Sequence, residues 1–113
     1  MNTFIYGSYP RVYMKQIVKN MIDSINRRPE NEPLPLFSAL GVSRVVYSED
    51  FVQFKVKGDR GVNKVKVIYD EGQDLYNVEF WNIKGLNCKK VNSINGVFFD
   101  ILTDIIWRGV VHV

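Results

Sequence analysis

The chain holds almost none of the residues that do chemistry. A single cysteine, Cys88, excludes an internal disulfide framework and a cysteine-rich metal site. A single histidine, His112, stands next to the last residue and leaves little room for histidine-based acid–base or nucleophilic catalysis. No apolar run approaches the roughly 20 residues of a membrane-spanning helix. The opening Met1-Asn2-Thr3-Phe4-Ile5-Tyr6 lacks the basic start and long apolar stretch of a secretory leader. With a lone thiol, these absences lead to the expectation of a reducing cytoplasm and no membrane.

What is present is ordinary globular material. Of 113 residues, 46% are hydrophobic and 24% charged, too apolar for a disordered chain. A single domain over 1–113 is expected, since a chain of this length buries roughly two-thirds of its unfolded surface. The net charge of +3 is uneven: residues 1–67 carry +5 and residues 68–113 carry −2. A basic half suits nucleic acid or an acidic protein partner, and equally serves plain solubility.

Hydrophobic period sorts the chain into elements. Met14, Ile17, Val18, Met21, Ile22 and Ile25 recur at three- and four-residue steps, which predicts a helix from about 10 to 27. Ser8 and Pro10 suit its start. Arg11, Lys15 and Lys19 form a basic stripe on its other face. Three prolines between 29 and 35 then force extended or turn geometry, so 1–35 reads as helix plus stiff connector. A short helix over 36–40 should end at Gly41.

From Ser43 the period becomes two. Strands are predicted over 43–47, 51–57, 62–69 and 75–83, with a shorter one over 88–94. Val52, Phe54, Val56, Val65, Val67, Tyr76, Val78 and Phe80 share one face. Lys55, Lys57, Lys64, Lys66, Ile68, Glu79 and Trp81 share the other. Asn95 is a candidate cap for a last helix over 96–108, with Phe98, Phe99, Ile101, Leu102 and Ile105 as its apolar stripe and Asp104–Arg108 as an i, i+4 pair. The expected fold is therefore two-layer α+β. An antiparallel four- to five-stranded meander carries an N-terminal and a C-terminal helix on one face.

The order over 36–107 carries a resemblance. It runs from a helix ending at glycine, through a hairpin, to Asn63-Lys64-Val65-Lys66-Val67. Asp74, Tyr76, Val78, Glu79 and Phe80 follow, then Gly96, Val97, Phe98, Asp100 and Leu102. This pattern resembles a small α+β domain common in bacteriophage and mobile-element genomes. The resemblance covers about two-thirds of the chain and rests on core and turn positions. It implies the fold, brings no catalytic residues, and implies a setting inside a bacterial host cell where such proteins bind host machinery.

Candidate chemistry is sparse. Asp100 and Asp104 share a helix face, yet no further ligands complete a metal site. Gly58-Asp59-Arg60-Gly61 lies between strands and is too short for a phosphate loop. Asp70, Glu71 and Asp74 sit in a turn without EF-hand spacing. Ser43, Ser48 and Ser93 have no histidine base. Cys88 stands near a turn beside Lys89 and Lys90, and a structural or incidental thiol is the expectation there. The expectation is a non-enzyme without metal or cofactor. Its function would lie in a surface: Lys55, Lys57, Lys64, Lys66 and Trp81 on the sheet, or Arg11, Lys15 and Lys19 on the first helix. Docking on a host protein, as adaptor or inhibitor, is the first reading. The alternative is nucleic-acid binding, with lysines on phosphates and Trp81 stacking a base. A homodimer through the same patch is the bland version.

Overall fold

A computed structural model of the chain describes residues 4–5, 15–57 and 61–111. Six strands lie in sequence order in one antiparallel sheet. They are β1 (Phe4–Ile5), β2 (Ser43–Tyr47), β3 (Phe51–Lys55), β4 (Lys64–Asp70), β5 (Leu75–Lys84) and β6 (Asn87–Val97). Strands β2–β6 are the expected meander, and β1 adds two residues to its first edge. Helices α1 (Gln16–Ile25) and α3 (Leu102–Val111) form the second layer, and α2 (Leu36–Ala39) links α1 to the sheet. The α+β class and the two-layer plan are as the periodicity predicts.

The inward row of each central strand is sealed. Val52, Phe54, Val65, Val67, Val78 and Phe80 are all at most 1% exposed. Val18, Met21, Ile22 and Ile25 of α1 and Leu102, Ile106 and Val110 of α3 close over them. Gly109 sets the depth of α3: a Cβ there would run into the Phe80 ring. The two helices are tied by Thr103, whose hydroxyl lies 2.8 Å from the Ser24 carbonyl oxygen and 2.9 Å from that of Ile25. Carbonyls at a helix C-terminus lack intrahelical partners, so this side chain satisfies groups that burial would otherwise strand.

Several boundaries differ from the expectation. Helix α1 starts at Gln16, because Lys15 is extended (φ −68°, ψ 151°) and caps it. Ser8, Pro10 and Arg11 fall outside the described residues. The connector folds back on α1: Arg27 and Asn26 accept the amides of Leu36 (2.8 Å) and Phe37 (2.9 Å), the latter through the Asn26 side chain. Helix α2 stops as expected at Gly41, whose φ of +60° only glycine adopts freely.

The last third departs furthest. Strand β6 has eleven residues and runs through Asn95, the expected helix cap. It continues because Val97, 2% exposed, belongs to the core and pairs with Tyr76. The Asn77 side chain accepts the Gly96 amide (3.1 Å) across the local register shift. A 3-10 turn (Phe99–Ile101) then leads into α3. Phe98, Phe99 and Ile101 are 62%, 54% and 44% exposed, so the expected stripe starts too early. The Arg27 guanidinium lies 5.6 Å from the Phe99 ring centroid. Asp104 turns toward the connector and accepts the Glu30 amide (2.8 Å) instead of pairing with Arg108.

Candidate functional site

The outer face of the sheet is built by the same alternation that builds the core. Phe51, Gln53 and Lys55 of β3 stand opposite Ile68, Lys66 and Lys64 of β4. Those three in turn stand opposite Asn77, Glu79 and Trp81 of β5. Every residue expected on this face from β4 and β5 is therefore on it, and none is sealed by another layer. Lys55 is exposed, whereas Lys64, Lys66 and Trp81 are half-buried.

Lys57 leaves this row. It lies beyond the end of β3, where its amide donates to the Leu40 carbonyl (3.0 Å) and its aliphatic stem covers Gly41. Lys15, the cap of α1, and Lys19 within it are exposed in the helix layer, apart from the sheet lysines. Lys15 meets Glu49 at 3.8 Å in an exposed pair, an arrangement that adds little.

Trp81 is the centre of a small cluster. Its Nε1–H donates to Glu79 Oε1 (3.1 Å), two residues back on the same strand and face. The Lys64 and Lys90 ammonium groups lie 5.9 and 5.8 Å over its ring. Lys90 also meets Glu79 at 3.7 Å. A cation this close to an indole face is attracted by the ring quadrupole. Nearby, the Lys66 ammonium lies 4.5 Å from the Phe51 ring. Lys90 was not visible to period counting, because Lys89 and Lys90 are adjacent and a register shift at Phe80/Trp81 decides which of them faces outward.

Beside this cluster runs an open groove of about 750 Å3. Among the described residues its cations are Arg44, Lys55 and Lys64, Val46 and Ile83 are among its apolar walls, and no acidic side chain lines it. Arg44 sits in the β2 bulge with φ 50°, between Ser43 and Val46, where the register to β3 shifts. A non-glycine residue in that region signals local strain. The floor is held by Asn63, whose side chain pairs with Ile83 through both its groups (Nδ2 to the carbonyl oxygen and Oδ1 from the amide, each 2.8 Å). Lys55 and Lys64 are direct cross-strand partners here. Like charges in that position destabilise a sheet, so this pair costs the fold something.

Elsewhere the chemistry is thin. Among the described residues, no three His, Cys, Asp or Glu side chains cluster as metal ligands would. Cys88 is exposed at the far wall of the groove. The Tyr69 hydroxyl donates to Asp74 Oδ1 (2.7 Å), and this bond, with burial, pushes its pKa up to about 12. Burial first, and Asp74 second, raise the neighbouring Tyr76. Among the described residues, no helix is long and apolar enough to cross a membrane.

The fold and surface thus define a two-layer α+β protein with a cationic, tryptophan-centred sheet face. Comparison with known proteins finds no matching family model, no matching curated protein and no matching solved structure.

Proposed function

We propose that the chain works by binding, and that its outer sheet face docks an acidic region of a protein partner. The observation that carries this reading is the opposed Lys55–Lys64 pair, joined by Arg44 in a groove that no carboxylate of the described residues lines. Facing two lysines across a ladder costs a sheet stability, and a carboxylate-bearing partner would turn that cost into attraction. Trp81 and Ile83 supply the apolar centre and the lysines the rim that binding surfaces commonly show. An adaptor or inhibitor role without catalysis or cofactor accords with this arrangement. A host protein as partner, inside a bacterial cell invaded by a phage or mobile element, follows only from the resemblance of residues 36–107.

The nucleic-acid reading uses the same lysines but needs an open indole face for a base. Two ammonium groups already lie over that ring, and its N–H is engaged by Glu79. A base would have to displace them, which weighs against stacking. Two measurements test the choice. Co-purification from host lysate should return a stoichiometric acidic protein with the natural chain and lose it with Lys55→Glu/Lys64→Glu. A fluorescent single-stranded oligonucleotide titrated at low and high salt should bind weakly, with little dependence on Trp81→Ala. Tight, salt-sensitive oligonucleotide binding that Trp81→Ala abolishes would overturn the protein reading in favour of nucleic acid.

A further inference from the structure

The two edges of the sheet are unlike. At one edge β2 is covered by the two-residue β1. At the other, β6 has eleven residues, pairs with β5, and has no strand beyond it among the described residues. Residues 87–93 are all exposed, so no other described element covers this stretch. A free edge presents unpaired N–H and C=O groups in strand spacing, a template for another extended chain.

Both sides of this edge offer places for alternating side chains. On the helix side, a groove of about 460 Å3 opens between β6 and α3. Val91, Ile94, Ile105 and Gly109 are among its walls, and Arg108 is at its rim. On the outer side, Lys90 stands beside Trp81, next in the ladder to Lys64. Glu79, on the same outer face, already meets Lys90. We propose that β6 receives an extended partner segment of alternating acidic and apolar residues. The segment adds to the sheet as a further strand, with its apolar side chains in the α3 groove and its carboxylates on the Lys90 side. This mode rests on the acidic-partner reading above and specifies how that partner is held. Main-chain pairing supplies affinity, and the two side-chain rows supply selection. A second copy of this chain is a poorer occupant. It would bring Lys89 and Lys90 against the same residues, and edge lysines and bulges are the usual devices against self-pairing.

The probes are three synthetic seven-residue peptides, Thr-Glu-Val-Glu-Val-Glu-Thr, its Lys-for-Glu counterpart, and the Glu peptide with alternate backbone amides N-methylated. Backbone amide hydrogen exchange across 87–97 and a binding isotherm at two salt concentrations are the readouts. The Glu peptide should slow exchange of the outward amides of 87–92, and added salt should weaken its binding. N-methylation should weaken it by about tenfold or more, and Lys89→Glu/Lys90→Glu should shift preference toward the Lys peptide. Equal binding of the natural and N-methylated Glu peptides would overturn strand addition and leave acidic docking standing. Failure of the Glu peptide to bind better than the Lys peptide would overturn both. Protection of β6 that rises with protein concentration and needs no peptide would assign the edge to a second copy instead.

Discussion

The two faces of the sheet come from the same strands and differ in almost everything. On β4, Val65 and Val67 are completely buried, while the alternating Lys64 and Lys66 reach the other side half-exposed. Inward, each residue meets a helix and its identity is set by volume. Outward, residues meet one another, and their arrangement includes an opposed lysine pair that packing does not require. A position whose neighbours do not dictate it, yet which costs stability, is where a partner is best sought.

The comparison can be broken or sharpened by substitution. The largest effect should come from Phe80→Ala on the inner face, which removes a fully buried ring under α3. A loss of about 3–5 kcal/mol is expected from the urea midpoint, with the slope unchanged. Gly109→Ala should follow at about 1–3 kcal/mol, because the new methyl meets the Phe80 ring before anything flexible can yield. The double variant Phe80→Leu/Gly109→Ala should recover part of that loss, and its absence would move the clash elsewhere. On the outer face, Lys64→Ala should change stability by no more than about 0.5 kcal/mol, with a gain being the informative sign. A loss above 1 kcal/mol would show that the outer row is structural after all.

The smallest effect is expected from pH. Tyr69 lies in the inward row of β4, at the end where it is half-exposed, beside Tyr76 at a centroid distance of 5.4 Å. Its phenol holds its proton up to about 12 against an ordinary 10.0. Between those values the unfolded chain gives up a proton that the folded one keeps, so stability should fall as pH rises from about 10 to about 12. Below 10 this group contributes no pH dependence. Absorbance titration near 295 nm should show the late phenolate, and Asp74→Asn should bring it down toward 10, since the Asp74 hydrogen bond is its main cause.

How much of this was readable in advance varies along the chain. The stretches 52–55, 64–67 and 78–80 alternate Val or Phe with Gln, Lys or Glu, so counting by twos places Lys55, Lys64, Lys66 and Trp81 on one face. The same count put Lys57 with them and failed, because β3 ends at Lys55 and the chain turns toward α2. In β6 the count had nothing to hold: Lys89-Lys90 breaks alternation, and register shifts move the pairing twice. The start of the last helix was misplaced for a related reason. Asn95 and the Phe98-Phe99 pair imitate a cap and an apolar stripe, while the need to bury Val97 against Tyr76 keeps the backbone extended.

Period and composition were enough to decide the class of fold, the order of its central elements and the split between a valine-rich side and a lysine-rich side. Those depend on local repeats of two and 3.6 residues, which any reader of the chain can count. Which cations share a groove was settled by the β2 bulge and the β3–β4 register. The free edge, and the distance of α1's lysines from those of the sheet, were settled by layer packing. Such relations join residues tens of positions apart, and no local pattern encodes a distance that only the folded backbone closes.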